Sequence, residues 1–369
     1  MWLQMVMSRC FLYSTVVLFL ASCRGQEQNL LDFNPPVFPK TEQKVVSPLF
    51  NNFLFKPNGT IEDMGDFMVI KHFYENYYLH LFEKETGAYI KSFGSYGRGP
   101  GELLTPPILR SNEDKSKLYA FQCGNGMRDY WTYRIEDIVH ERLTLPVREE
   151  KITFQPMEGE RNPGSAINFL AWQDKRLFER RRLHRFEVYD TIGNVLCLYD
   201  KYPTVRLNKV SDTTAFHDSY LSAAIALKPD MSRFVIASNI GCILEIFTVD
   251  TSGKIEKETE KRFYPPVFTV NKNLMPDYYI SGQTILGIDV LSVTDDFIYA
   301  KYFGKKYISG EPESYQTNTI AVFDWYGNPI RCYILDWAIE CIFVDAKRNR
   351  CYLEGINAED EILLGYFDL

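Results

Sequence analysis

Short runs of alternating apolar and polar residues recur along this chain, with the period of two that is typical of half-buried β-strands. One unit repeats: an apolar–x–apolar–aromatic run, a polar turn that contains glycine, and a second apolar strand. Four clear copies carry the aromatic residue at Phe82, Tyr189, Phe247 and Phe323. Because each copy places two strand-like runs on either side of a glycine-bearing turn, each predicts a β-hairpin.

Two weaker copies extend the series. They cover residues 129–135 and 363–367, with Tyr133 and Phe367 at the aromatic position. Successive aromatic positions are 44 to 76 residues apart, which fits propeller units of about 40–50 residues with loop insertions. Further strand-like runs precede the hairpins, so a complete unit contains four strands. The pattern predicts an all-β fold, a six-bladed β-propeller of four-stranded antiparallel blades.

The end of the chain predicts how the ring closes. Leu369 follows what would be the third strand of the sixth unit, so this blade lacks its outer strand. A segment within residues 37–47 is the available donor. A blade built from both termini removes a sheet edge that would otherwise invite aggregation. We therefore expect an N-terminal strand to close the propeller.

The N-terminus has the pattern of an export signal. Arg9 precedes an apolar run from Phe11 to Ala21, which is too short to span a bilayer comfortably. The run ends in Leu20-Ala21-Ser22-Cys23, which resembles a bacterial lipobox, although an apolar run can also end in cysteine by chance. The resemblance implies a signal peptide over residues 1–22 and a lipid on Cys23 that attaches the protein to a membrane.

The remaining chain divides into two parts. Residues 23–45 are polar and contain three prolines, which predicts a tether with the closing strand toward its end. Residues 46–369 form the predicted propeller. Arg24 follows the cysteine, without the acidic pair that suggests retention at the inner membrane. We therefore expect a lipid-anchored cell-envelope protein at the outer membrane, on either its periplasmic or its surface side.

A glycine-rich stretch over residues 92–107 allows two interpretations. Its four glycines could offer backbone N–H groups to a phosphate. However, no Gly-Lys-Ser/Thr follows, Pro100 removes a donor, and Thr105-Pro106-Pro107 prevents a helix from starting. A tight crossing between two blades explains the stretch better, because glycine permits positive φ and proline stiffens the turn.

This crossing carries a family resemblance. Residues 93–106, read as Phe-Gly-Ser-Tyr-Gly-Arg-Gly-Pro-Gly-Glu-Leu-Leu-Thr-Pro, resemble an NHL-type blade junction. Together with the lipobox and the preceding strand, they are similar to the TolB-like six-bladed β-propeller lipoproteins of Gram-negative envelopes. The resemblance implies fold and location but no reaction. Arg98 and Glu102 are the polar side chains of the junction, and they could bind a ligand at the ring face or tie one blade to the next.

Charge excludes one class of partner. The net charge of −7 argues against general nucleic-acid binding, which needs a basic face. One basic cluster could bind a polyanion, although a solvated strand is the commoner meaning of such a run. Its members are Lys175, Arg176, Arg180, Arg181, Arg182, His184 and Arg185. The eight cysteines contain no Cys-x-x-Cys, and we assign no disulfide, metal or cofactor.

Two functions remain open. The leading hypothesis is a non-enzymatic binding or scaffolding module for a protein, peptide or glycan, because a rigid ring with tyrosine-rich loops suits recognition. The alternative is a metal-dependent hydrolase or lactonase with its site in the central channel, an analogy with other six-bladed propellers. Asn239, His217, Asp289 and Asp295 are the residues that could meet there. The sequence contains neither His-Glu-x-x-His nor Gly-x-Ser-x-Gly.

Overall fold

The fold was analysed in a computed structural model of the chain. It describes residues 33–49, 53, 55–56, 59–122, 129–140, 145–146, 148–151, 166–180, 184–203, 217, 224–270 and 278–369. The predicted signal peptide, Cys23 and most of the polar tether lie outside these residues. Among the described residues, no helix combines the length and apolar character needed to cross a membrane.

Six blades follow one another along the chain, each with antiparallel neighbours in sequence order. Blades one to three consist of β3 (Thr60–Met64), β4 (Phe67–Tyr74), β5 (Tyr77–Glu83) and β6 (Tyr89–Ser95); β7 (Ile108–Ser111), β8 (Lys117–Phe121), β9 (Asp129–Arg134) and β10 (Arg148–Lys151); and β11 (Ala166–Trp172), β12 (Lys175–Arg180), β13 (Phe186–Asp190) and β14 (Val195–Tyr199). Strands β1 and β2 come from the N-terminal segment and are described below.

Blades four to six repeat the arrangement. They consist of β15 (Ala224–Leu227), β16 (Arg233–Ala237), β17 (Cys242–Val249) and β18 (Ile255–Tyr264); β21 (Ile288–Val293), β22 (Phe297–Tyr302), β23 (Thr319–Asp324) and β24 (Pro329–Leu335); and β25 (Ala338–Asp345), β26 (Arg350–Ile356) and β27 (Ile362–Asp368). An additional hairpin of β19 (Phe268–Val270) and β20 (Tyr278–Ile280) lies between blades four and five. Short helical turns occur at α1 (Ile135–Val139) and at a 3-10 turn (Pro312–Tyr315).

The first strand of each blade contacts the first strand of the next, in the order β3, β7, β11, β15, β21 and β25. Strand β25 in turn contacts β3, which closes the ring. This confirms the predicted six-bladed propeller. The six aromatic positions of the repeat are all buried, because the third strand of each blade lies within the sheet.

The N-terminal segment closes the ring by joining two blades. Strand β1 (Thr41–Lys44) pairs in parallel with β24, the outer strand of blade five. Strand β2 (Ser47–Pro48) pairs antiparallel with β27 and completes blade six. Val46 lies between them, buried, and its N–H donates to Asp336 Oδ1 at 2.9 Å. The predicted closing strand is confirmed, and the structure adds that the same segment also covers the edge of blade five.

The core consists of apolar clusters between neighbouring blades. Val69, Leu79 and Tyr133 belong to the cluster between blades one and two. Equivalent clusters lie between the other successive pairs, and the cluster that contains Met68, Tyr352 and Leu364 joins blade six to blade one. Since each blade buries both faces against its neighbours, strands such as β17 are apolar on both sides.

Candidate functional site

The glycine-rich stretch forms the crossing from blade one to blade two. Gly94 has φ +65°, and a Cβ there would lie 3.0 Å from the side chains of Leu79 and Leu103. Leu103 is buried, and its N–H donates to Ser95 O at 2.8 Å. The chain therefore folds back on the end of β6, which fixes where the next blade begins.

Glu102 and Arg98 have different surroundings within this crossing. Glu102 Oε2 accepts a hydrogen bond from Gly99 N–H at 2.6 Å, and a Cβ on Gly97 would come within 1.9 Å of the same oxygen. The glycines thus make room for a carboxylate that braces the turn. Arg98 is exposed to solvent. Within residues 96–103, which the structure describes in full, Arg98 and Glu102 form no ion pair, and Glu102 bonds to the backbone instead.

An exposed group of aromatic side chains stands beside this crossing. We define the blade-one aromatic cluster as Phe73, Tyr78 and Tyr96. The ring centroids of Phe73 and Tyr96 are 5.7 Å apart, and Tyr78 lies 5.1 Å from Phe73. Phe73 and Tyr96 are 45% and 48% exposed, whereas Tyr78 beneath them is 6% exposed. Large apolar surface of this kind commonly marks an interaction site.

The backbone holds the cluster in place. Glu75 and Asn76 have φ values of 46° and 68°, the two positive φ values that a two-residue hairpin turn of type I′ requires. Asn76 O accepts a hydrogen bond from Tyr96 N–H at 2.7 Å, which attaches the crossing to this turn. The rings are therefore mounted on two mutually bonded turns. Such a platform loses little conformational entropy when it binds.

The opposite end of the ring contains the mouth of a central cavity of about 540 Å³. All six innermost strands contribute to its wall. The cavity also includes the turn between β3 and β4 and Lys84, which follows β5. The blade-one aromatic cluster sits at the turn between β4 and β5, so the two features lie at opposite ends of the antiparallel blade.

A network of charged side chains connects blade six to blade one at the cavity mouth. The fully buried Lys84 ammonium donates to Asp63 and, at 3.0 Å, to Asp345 Oδ2. Arg348 continues the network, donating to Asp345 at 2.9 Å and to Asp66 at 2.8 Å. Burial alone would raise the pKa of Asp345, but the hydrogen bonds from Lys84 and Arg348 outweigh it and hold the pKa below its ordinary value.

The four residues proposed from the sequence for a channel metal do not converge. Asp289 Oδ2 lies 3.2 Å from Lys301 Nζ, and burial raises the pKa of this carboxyl. Asp295 lies at the cavity mouth. Asn239 is in the turn between β16 and β17, where its carbonyl accepts from Gly287 N–H. His217 stacks on the Tyr202 ring at 4.0 Å. Within the described ranges, no group of three metal-ligating side chains occurs.

Three members of the basic cluster are buried, which corrects the expectation of a solvated strand for the part of the cluster that the structure describes. Lys175 and Arg176 on β12 are buried. Arg185 is completely buried and forms a two-pronged ion pair with Glu245 of blade four, with one N–O distance of 3.1 Å. Its guanidinium also lies 5.0 Å from the Phe186 ring centre. Arg185 therefore serves the interface between blades three and four, whereas the Arg176 guanidinium lies 5.1 Å from the ring centre of Tyr119 in blade two. Arg181 and Arg182 lie outside the described residues.

The described cysteines behave as small apolar side chains. Cys242, Cys332, Cys341 and Cys351 are buried free thiols, and Cys197 is a half-buried one. Burial raises the pKa of Cys332 to about 11, so its reactive thiolate form is scarce at neutral pH.

The ring of six four-stranded blades, with a polar central cavity and strands from both termini in its last blade, defines a six-bladed β-propeller. Its sequence matches the family described as TolB-like 6-blade propeller-like over residues 38–347. The chain belongs to this TolB-like family, which confirms the resemblance drawn from the glycine-rich crossing.

Two solved structures show the same fold at low identity. A proposed exported protein from Bacteroides fragilis has a TM-score of 0.56 and 13% identity, covering 89% of this chain and 98% of its own. A member of the DUF4221 family from Bacteroides vulgatus has a TM-score of 0.55 and 13% identity, covering 89% and 96%. The comparison with curated proteins gives no match.

Sequence reasoning found the crossing but missed what surrounds it. The blade-one aromatic cluster joins residues from two turns that are about twenty positions apart in the chain. A run such as Phe73-Tyr74 and Tyr77-Tyr78 signals this cluster only weakly, because aromatic residues are equally common in buried strands. The Lys84 network carries no local signal, since Asp345 is brought to Lys84 by ring closure alone.

Proposed function

We propose that this chain is an exported, lipid-anchored binding module of the bacterial cell envelope. The signal pattern and Cys23 support export and lipidation, and a proposed exported protein of similar fold is consistent with them. The outer membrane is the proposed address. The membrane contact would be the lipid itself, and the propeller would stand in the aqueous space beside it.

The blade-one aromatic cluster carries the proposal about binding. Interfaces between proteins are enriched in tyrosine, phenylalanine and arginine, and a few such residues supply most of the binding energy. Phe73 and Tyr96 expose nearly half of their surface, and Arg98 lies two positions beyond Tyr96 on the same crossing. We therefore propose a protein partner that docks on this cluster, with Arg98 as a polar contact at its edge.

The docking proposal is tested by comparing three proteins in cross-linking within the native envelope. They are the full lipidated chain, its Phe73→Ser/Tyr96→Ser variant and a Tyr326→Ser control. Tyr326 is 61% exposed in the turn between β23 and β24, at the other end of the ring. The captured partner is then purified and titrated. We expect the double variant to bind at least about tenfold more weakly, with the control unchanged.

Two outcomes would contradict this assignment. Equal affinity of the double variant and the full chain for the purified partner would remove the cluster from the interface. Selective loss of binding to a glycan array, with protein binding intact, would reassign the cluster to carbohydrate. Arg98→Ala tests the crossing separately. This variant should bind the partner more weakly, while the melting temperature of the protein stays unchanged. A destabilised protein with unchanged affinity would give Arg98 a structural role.

Lipidation has its own test. Cells that express the chain are labelled with an alkyne analogue of palmitate, and membrane and soluble fractions are compared for the natural chain and for Cys23→Ala. We expect the label and the membrane association to disappear in the variant. Equal labelling of both proteins would exclude Cys23 as the lipid site.

The competing hydrolase hypothesis makes an opposite prediction about metal. A binding module should contain no stoichiometric Ca²⁺ or Zn²⁺ when purified without chelators. Asp289 already forms an ion pair with Lys301, and the other proposed metal ligands lie apart from it. Elemental analysis of the full chain measures this directly. One metal ion per chain would favour the hydrolase or lactonase.

A further inference from the structure

Among the described residues, the wall of the central cavity holds a half-buried cation that makes no direct contact with a carboxylate. Arg110, on the innermost strand of blade two, lines the cavity, and its Nη1 donates to Leu109 O at 2.7 Å. This is the one hydrogen bond that the described residues make with its side chain. Glu62 is the carboxylate whose charge offsets the burial of Arg110. It accepts hydrogen bonds from Ser111 N–H at 2.6 Å and from Ser111 Oγ at 2.8 Å.

The other cations of the cavity either have a polar partner or are exposed to solvent. Lys84 and Arg348 are paired with carboxylates, as described above. Lys115 donates to Ser111 Oγ at 3.0 Å, and Lys228 pairs with Asp230. Lys347 is exposed at the mouth. Within the described part of the chain, Arg110 is thus a half-buried cation of the wall whose side chain makes one hydrogen bond and no ion pair. Burial lowers the pKa of Arg110, which reflects an environment that penalises its charge.

The remaining wall suits the apolar part of a ligand. Ile61, Ala226, Leu291 and Phe343 are half-buried residues from the innermost strands of four blades, and they line the cavity. The volume of about 540 Å³ falls within the range of small-molecule sites, about 300–1,000 Å³. Small-molecule sites combine apolar surface with polar groups that fix the orientation of the ligand.

The lining as a whole does not attract anions, so binding of an anion has to come from one local contact. Seven carboxylates and six Lys or Arg side chains line the cavity. A single carboxylate can bond to Arg110 in the two-pronged geometry that guanidinium favours, whereas each further negative charge on a ligand would add repulsion from the lining. We propose that the central cavity binds a small organic monocarboxylate with an apolar body, and that Arg110 receives its carboxylate.

This site is independent of the aromatic cluster, because it lies at the opposite end of the ring. Binding of octanoate, its uncharged isostere octanamide, benzoate and inorganic phosphate is measured by calorimetry on the full chain. We expect the two carboxylates to bind, and octanamide and phosphate to bind at least about thirtyfold more weakly. The same ligands are then measured with Arg110→Gln, Arg110→Lys and the control Lys347→Gln.

Arg110→Gln should weaken octanoate at least about thirtyfold. Arg110→Lys should fall between this variant and the natural chain, because lysine offers a point charge without the fork. Lys347→Gln should bind as the natural chain does. Thermal melts in the absence of ligand check that the variants fold, and Arg110→Lys keeps the charge if Arg110→Gln fails to fold.

Three results would overturn the proposal. The first is the absence of binding by octanoate and benzoate to the natural chain. The second is equal affinity for octanoate and octanamide, which would remove the carboxylate from recognition. The third is octanoate affinity unchanged in both Arg110 variants. Binding of phosphate in preference to the carboxylates would assign the cavity to an inorganic anion instead.

Discussion

His72 Nε2 lies 2.7 Å from Glu354 Oε2 in a contact that joins the first blade to the sixth. Both side chains are buried, and burial raises the pKa of Glu354 while the hydrogen bond from His72 opposes the rise. The Lys84 network crosses the same interface at the cavity mouth. The joint between the two ends of the propeller therefore contains polar contacts beside its apolar cluster, and such contacts stabilise only while they are complete.

Lys84→Met should destabilise the protein by about 3 kcal/mol, because it leaves Asp63 and Asp345 without their shared buried cation. Urea unfolding monitored by fluorescence measures the change. Lys254→Met provides a matched control, since Lys254 makes only an exposed pair with Glu256. The control should unfold like the natural chain. Equal midpoints for Lys84→Met and the natural chain would show that the network contributes nothing to closure.

Val46→Asp should lower the free energy of unfolding by about 3 kcal/mol, because it places a carboxylate where Tyr333, Leu335 and Trp337 form an apolar cluster. The neighbouring Val45 is 77% exposed, so Val45→Asp should change stability by less than about 0.5 kcal/mol. Thermal and urea unfolding of the two variants make the comparison. Similar losses in both would mean that the N-terminal segment does not seal the ring through Val46.

His80 should make the fold sensitive to acid. Burial lowers the pKa of this imidazole to about 4, while its hydrogen bond to His72 O resists the change. Because the folded state holds the proton less tightly than the unfolded state, stability is full above about pH 6.5 and falls as the pH drops toward 4. His80→Gln should abolish this loss, which amounts to up to about 3 kcal/mol in the free energy of unfolding.

The acid slope is measured by urea unfolding at half-unit pH steps between 7 and 4. His140→Gln is the control, because His140 is exposed. If His80→Gln and His140→Gln give the same slope as the natural chain, His80 is not the group responsible.

Glu179 should act in the opposite direction. Burial raises the pKa of this carboxyl to about 7, against the hydrogen bond from Asn168 and the charge of Arg185. The folded state holds this proton more tightly, so the contribution of Glu179 to stability is lost as the pH rises from about 4.5 to 7. Glu179→Gln removes the titration, and its stability relative to the natural chain should increase by up to about 3 kcal/mol across that range.

Unfolding of Glu179→Gln and the exposed control Glu256→Gln is compared at pH 5 and pH 8. The advantage of Glu179→Gln should appear at pH 8 and shrink at pH 5. A constant difference between the two pH values would show that Glu179 does not titrate within this range.

The repeating hairpin, the number of blades and the strand contributed by the N-terminal segment could all be predicted from the sequence. These features follow from local patterns: a period of two, glycine-bearing turns such as those at Gly87 and Gly327, and a sixth unit with three strand-like runs. The crossing over residues 92–107 identified the family because the glycines and prolines that its turn requires lie close together in the sequence.

The contacts between charges and between aromatic rings depend on the assembled ring and could not be predicted from the sequence. Arg185 belongs to a basic run in the sequence, yet ring assembly buries it against Glu245, sixty positions away. Closure of the ring brings Lys84 and Asp345 together. Arg110 is a candidate ligand-binding residue because it lines a cavity to which all six blades contribute. Period and turn chemistry act between neighbours along the chain, whereas burial, pairing and pKa depend on distances that the closed ring alone sets.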